Sequence, residues 1–122
     1  MTVTLDSKSL NVTKFTEDCQ VIYSQRDKWE TEDFVRKIEP QGSIREWWMD
    51  CYEDGVSWTN SAAKNFQTKA DAGSAVAFSV SESDMHSVSC NVYILRCTIE
   101  YPKGVDKTEK FRRFKLYLIE AQ

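Results

Sequence analysis

The residue best suited to acid–base chemistry is His86, the single histidine of the 122-residue chain, which lies in a predicted turn beside Asp84. An imidazole oriented by a carboxylate could act as a general base or could activate a neighbouring thiol. No nucleophile is tied to His86 by spacing, and histidines are common in exposed turns. We therefore interpret His86 first as an exposed turn residue and keep catalysis as the alternative.

The sequence contains few other patterns that carry chemistry. It has no glycine-rich phosphate loop, no nucleophile elbow and no paired-histidine motif, and only four glycines in all. The four cysteines include no Cys-x-x-Cys pair, which is the usual half of a structural zinc site. We therefore expect neither a cofactor nor a metal.

The segment after Gly42 predicts a helix over residues 44–54. Ser43 and Glu46 have the spacing of a capping box, and apolar residues follow at steps of three and four. Gly55 stands where a left-handed residue commonly ends a helix.

Three residues of this predicted helix are candidates for a pocket or an interface: Trp47, Trp48 and Asp50. Both tryptophans would reach one broad apolar stripe, one of them at its edge, so core packing competes with a role in lining a pocket. A carboxylate near the C-terminal end of a helix opposes the helix dipole, which tends to raise its pKa. Asp50, Glu53 and Asp54 thus either supply a pocket acid or form a solvated acidic helix end.

A basic run over residues 103–115 includes Arg113 and Lys115 and is interleaved with aromatic residues. It could form a positively charged surface that binds nucleic acid. Lysine and arginine also protect exposed strand edges from uncontrolled pairing, and the whole chain has a net charge of −3, so nucleic-acid binding is not favoured. Strand alternation places Arg113, Lys115 and Tyr117 on the outer face of a predicted strand, where a second copy could dock.

The elements that would position these residues are mostly helical in the first half of the chain and extended in the second. The periodicity predicts a short strand over residues 2–5, a helix beginning near Thr13 and a second helix over 30–38. The β-branched residues within 20–23 leave an extended conformation open for the first of these helices. Residues 60–69 could form a loop or a short helix. Three longer strands are predicted: about 75–81, then 87–101, and then 111–120. The apolar face changes within the second of them, which indicates either a bulge or a strand buried on both sides at its middle.

These elements predict the α+β class. We expect one domain over residues 1–122, with N-terminal helices packed on a bent antiparallel sheet of three to five strands.

The hairpin formed by residues 89–101 and 110–122 resembles the long hairpin of the nuclear transport factor 2-like superfamily, whose domains have a cystatin-like cone shape. The resemblance implies helices lying in the mouth of a strongly bent sheet, with a pocket between helix and sheet. Members usually have another strand after this hairpin, and no site motif of the superfamily matches. They include enzymes, small-molecule binders and non-catalytic interaction modules, so the resemblance does not choose among functions.

The patterns as a whole favour a non-catalytic binding or interaction protein that acts through its sheet or through a pocket between helix and sheet. The alternatives are a small pocket enzyme or small-molecule binder of the cone-shaped type, and nucleic-acid binding through the basic hairpin. We expect an unidentified protein partner and a homodimer formed through the sheet. Since no signal peptide or membrane-spanning apolar stretch is present, we expect a cytoplasmic chain with reduced cysteines.

Overall fold

Six antiparallel strands and one α-helix make up the described part of the chain. The computed structural model describes residues 2–25, 38–82, 87–102 and 110–121. The elements in chain order are β1 Thr2–Leu5, β2 Lys8–Gln25, β3 Ile38–Asp54, a short 3-10 helix Trp58–Asn60, α1 Ala62–Ala72, β4 Ala75–Ser81, β5 Val88–Glu100 and β6 Phe111–Glu120. The strands close into a barrel in the order β1-β2-β3-β6-β5-β4, which pairing between β4 and β1 completes.

The predicted α+β fold is wrong, because the described chain forms a closed barrel rather than helices packed on a sheet. The helix predicted to begin near Thr13 is part of β2, and the helix predicted over 44–54 is part of β3. The helix predicted over 30–38 lies outside the described residues, except for Ile38, where β3 begins. The cone implied by the superfamily resemblance is therefore not the fold, while the resemblance itself stays a prediction.

The sequence of β3 has the apolar spacing of a helix because both faces of the strand carry apolar residues. Trp47, Met49 and Cys51 point into the barrel and are at most 2% exposed, whereas Trp48 and Tyr52 lie on the outer face. A strand with one plainly polar face would alternate between apolar and polar residues. Aromatic residues on the outer face hide this alternation, and the same residues then satisfy steps of three and four.

The residues predicted to cap that helix have other roles. Ser43 and Glu46 lie within β3, so their spacing forms no capping box. Gly55 does adopt the left-handed conformation, with φ of 72°, but it follows the end of a strand. Its backbone N–H donates to the carbonyl of Lys110 over 3.1 Å, which ties the end of β3 to the start of β6.

The strands predicted in the second half of the chain are confirmed as β4, β5 and β6, and the short N-terminal strand is confirmed as β1. The predicted bulge in β5 is confirmed by a register shift against β6 between Ile94 and Arg96. The segment left open between loop and helix forms α1, and the Ser61 side chain caps its first turn by accepting from the N–H of Lys64.

Large apolar side chains fill the interior of the barrel. Phe66 of α1 is completely buried in this core, with its ring centroid 6.0 Å from that of Phe114. Fully burying a side chain of this kind stabilises the fold by about 1.5–3 kcal/mol. The largest fully buried side chains are Trp47, Phe66, Phe78, Phe114, Leu5, Met49, Leu116, Leu118, Val92 and Cys51.

Two strands extend well beyond the barrel. β2 pairs with β1 only at residues 8–10, so its edge over residues 11–25 has no partner strand within the described ranges. β3 pairs with β6 only at residues 46–54, which leaves residues 38–45 paired with β2 alone. We call residues 19–25 and 38–45 the β2–β3 ribbon. A two-stranded ribbon has little stability in water by itself.

Candidate interaction surface

Five of the seven candidate residues lie together on the outer face of the barrel, on the neighbouring strands β3 and β6. The register pairs Trp48 with Tyr117 and Asp50 with Lys115, so the members of each pair lie side by side. Arg113 lies on the same face, as strand alternation predicted. The interface residues predicted from the two halves of the chain therefore form one continuous surface, although the elements predicted to carry two of them were helical.

The other two candidates do not join this surface. Trp47 points into the core, where its ring centroid lies 4.9 Å from that of Phe78 and its Nε1 donates a 3.0 Å hydrogen bond to Glu17. Its complete burial supports core packing over pocket lining. His86 and its neighbour Asp84 lie outside the described residues, so their pairing stays a prediction.

Trp48 and Tyr117 form a stacked pair on this surface. Their ring centroids are 5.0 Å apart and their ring planes differ by 19°. Desolvation raises the pKa of Tyr117, and a hydrogen bond to Glu46 together with the charges of Glu46 and Asp18 raises it further. Trp48 is still 38% exposed, so the pair presents apolar area to solvent.

Further apolar side chains extend the stacked pair toward β5. Ile119 lies on the same face of β6 as Tyr117, and the register pairs Ile119 with Tyr93, which is 39% exposed. Leu95 follows on β5 and is 54% exposed. We call this set, Trp48, Tyr93, Leu95, Tyr117 and Ile119, the outer apolar patch.

The bulge in β5 accounts for the exposure of Leu95. The pairing with β6 passes from Ile94 directly to Arg96, so Leu95 is the extra residue, and a bulge of this kind re-aims a side chain. Ile94 remains 4% exposed inside the barrel. Sequence reasoning predicted the bulge but assigned Leu95 to the apolar inner face. The change of apolar face within this one strand is the signal that could have identified Leu95 as the outward-facing residue of the bulge.

Charged side chains of both signs lie beside the outer apolar patch, toward the start of β6. Lys115 is opposite Asp50, and its Nζ lies 3.9 Å from Oε1 of Glu100 on β5. The Arg113 guanidinium lies 5.8 Å from the centre of the Phe111 ring. A surface groove of about 600 Å³ is lined by these side chains. Two acids thus accompany two bases, a pattern that suits a protein partner better than a polyanion.

A buried ion pair ties β3, β6 and α1 together. Arg112 Nη1 lies 2.6 Å from Glu53 Oε2, and the two residues are 4% and 7% exposed. The same oxygen accepts from the Ser61 hydroxyl over 2.8 Å. The other oxygen, Oε1, accepts from the backbone N–H groups of Ala62 and Ala63 over 2.7 Å and 3.1 Å. The Glu53 carboxylate therefore caps α1 from a neighbouring strand, at the helix end that favours negative charge.

The remaining contacts of Arg112 also serve the fold. Its Nη2 donates to the carbonyl of Val56 over 3.0 Å, and its guanidinium lies 5.6 Å from the centre of the Trp58 ring. Its buried Nε has no hydrogen-bond partner among the described residues. Sequence reasoning placed Glu53 among the acids at the end of a predicted helix and Arg112 in the basic run, and it did not predict that the two pair inside the barrel. The signal was present, because alternation from the inward-facing Cys51 places Glu53 inside, and alternation from Phe114 does the same for Arg112.

The four cysteines are free thiols that differ in accessibility. Burial, reinforced by nearby carboxylates, raises the pKa of both Cys51 and Cys97 to about 12, whereas Cys19 is exposed. Because the thiolate is the reactive form, we expect iodoacetamide at mildly alkaline pH to modify Cys19 in the folded protein and to spare Cys51 and Cys97. All four thiols should react in urea. Mass spectrometry of the alkylated protein would measure this, and fast modification of Cys51 in the folded state would contradict its packing.

The raised thiol pKa values also set the sign of a pH effect on stability. The fold buries Cys51 and Cys97 as neutral thiols, so their contribution to the free energy of unfolding is fully present below the ordinary thiol pKa of 9.0. This contribution is lost as the pH rises toward about 12, because the thiols then ionise more readily in the unfolded chain.

The described part of the chain offers no metal site and no membrane helix. Within these ranges, no group of three or more His, Cys, Asp or Glu side chains could hold a metal ion. The helix found there is not long and apolar enough to cross a membrane.

Structures with this fold have been solved in gene transfer agent (GTA) particles. A chain in the virion of a native GTA particle has a TM-score of 0.62 and 14% sequence identity, and the match covers 99% of this chain and 90% of that one. A chain in the tail of an empty GTA particle with C6 symmetry has a TM-score of 0.57 and 12% identity, and the match covers 93% of this chain and 79% of that one. No protein-family model and no curated protein matches the chain. At identities this low, the similarity establishes the fold alone.

Proposed function

We propose that the chain is a non-catalytic structural subunit that assembles with copies of itself into a tail-like part of a particle. The observation that carries the proposal is the fold, which matches a chain of a C6-symmetric particle tail over 93% of the present sequence. A subunit of such a tail contacts neighbouring subunits, so its surface must hold binding sites for other protein chains.

The open edge of β2 supports this proposal. Within the described ranges no other strand pairs with this edge beyond residue 10, so its backbone over residues 18–25 is a template on which a strand of another chain can pair. A neighbouring copy that pairs there would also support the β2–β3 ribbon, which has little stability alone. When a subunit joins one surface to a different surface of its neighbour, the contact closes into a ring if the rotation fits. Six-fold symmetry is one such closure.

The direct test is the mass and shape of the purified full-length chain. We expect sedimentation velocity to show species of several subunits, and negative-stain electron microscopy to show rings or tubes. A monomer at every concentration, in both low and high salt, would reject the proposal.

Two adjacent proline substitutions test whether the edge of β2 makes the contact. Cys19 and Gln20 are both exposed, and neighbouring residues of a strand direct their N–H groups to opposite edges. One of the variants Cys19→Pro and Gln20→Pro therefore removes a hydrogen bond to β3, whereas the other alters only the open edge. We expect the second kind to fold with a melting temperature near wild type and to lose assembly. If the variant that folds normally assembles as wild type does, the edge is not the contact.

A further inference from the structure

We infer that the outer apolar patch is a docking surface for a second copy of the chain, packed face to face on the same patch. This inference rests on the proposed function, because it identifies a contact between copies. The surface is separate from the open edge of β2, so the two contacts can be tested independently.

The patch has the composition and continuity of a binding surface. Trp48 and Tyr117 are stacked, the register places Ile119 beside Tyr93, and Leu95 projects from the bulge with 54% of its surface exposed. Clustered apolar surface with a polar rim marks interaction sites, and tryptophan and tyrosine are enriched among the residues that dominate binding energy. Stacking also holds two of the rings in place before binding, which lowers the entropy lost on docking.

The charges on the two sides of the patch identify the occupant. Asp18 and Glu46 are paired on the β2 side, whereas Arg96 lies next to Tyr117 on the β5 side. Two copies packed face to face about a two-fold axis parallel to the strands place the β2 side of one copy over the β5 side of the other. The acidic side then faces Arg96 at both ends of the interface. This is the self-complementarity that a two-fold contact requires, and a uniformly charged partner would match only one side.

A charge-swap experiment tests this arrangement in the full chain. We expect Asp18→Arg alone and Arg96→Glu alone each to weaken self-association about tenfold or more, because like charges then face each other. The double variant and an equimolar mixture of the two single variants should both associate as wild type does, since each restores opposite charges across the interface. The control is Lys64→Glu, a charge reversal at an exposed position of α1, which should leave association unchanged.

Sedimentation velocity on each variant, with circular dichroism to verify folding, provides the readout. Loss in the single variants and recovery in the double variant and the mixture would establish the contact. Single variants that associate as wild type does would overturn the inference and leave the proposed function standing. A double variant or mixture that fails to recover would also overturn it. A wild-type protein that stays monomeric would reject both.

Discussion

Glu53→Ala is expected to lower the free energy of unfolding by about 3–5 kcal/mol, the cost of breaking a buried ion pair from one side. Arg112 is only 4% exposed, so the change leaves its guanidinium buried without the carboxylate that neutralises it. It also removes the acceptor for the Ser61 hydroxyl and for the first backbone N–H groups of α1. Urea unfolding followed by far-UV circular dichroism would measure the loss.

The neighbouring residue Asp54 supplies the control. It is an exposed carboxylate one position along the chain, so Asp54→Ala should change the free energy of unfolding by no more than about 0.5 kcal/mol. The double variant Glu53→Leu with Arg112→Met removes both charges and should be less destabilised than Glu53→Ala, because no charge is left buried alone. Equal effects of Glu53→Ala and Asp54→Ala would show that the ion pair does not hold α1 to the barrel.

Trp47→Ala should destabilise the fold by about 3–5 kcal/mol, since it removes a large side chain from a filled core. The Trp47 ring is completely buried and lies against Phe78, so its removal leaves a cavity that the surrounding side chains fill only in part. The substitution also removes the hydrogen bond from Nε1 to Glu17. Thermal and urea unfolding of the variant, followed by circular dichroism, would give the loss.

Trp48→Ala is the matched comparison, because it deletes the same side chain from the next position of the same strand. Trp48 is 38% exposed and is stacked on Tyr117, so we expect a loss of less than about 1.5 kcal/mol. The same substitution should weaken self-association if the outer apolar patch is a docking surface. Similar losses of stability at both positions would contradict the opposite orientations of the two tryptophans.

The two tryptophans also show what the sequence could predict of the fold. In β4 and β6, one face is apolar and the other is small or charged, so the period of two is visible and the strands are confirmed where they were predicted. In β3, Trp48 and Tyr52 make the outer face aromatic and produce a helical pattern. Ladder pairing with β2 and β6 decides the conformation, and a sequence read one segment at a time does not contain that information.

The part of the candidate surface that could be predicted is the part that depends only on the alternation of side chains along one strand. Arg113, Lys115 and Tyr117 could be placed outside a strand from their spacing alone. These residues lie beside Trp48 and Asp50 only because β3 pairs with β6, a strand that is distant from β3 in the sequence. Glu53 and Arg112 were not predictable as partners for the same reason, since burying each charge is favourable only when the other is already beside it.

The strand order also determines when the surface proposed for docking can form during synthesis. β6 is made after the other five strands, yet it lies between β3 and β5 in the barrel. Until β6 is synthesised, β3 and β5 have no strand between them, and the outer apolar patch lacks Tyr117 and Ile119. During translation the open edge of β2 is thus exposed early, whereas the surface proposed for face-to-face docking forms only when the barrel closes. A growing chain therefore lacks the surface proposed for docking, so the proposed face-to-face pairing would take place only between completed barrels.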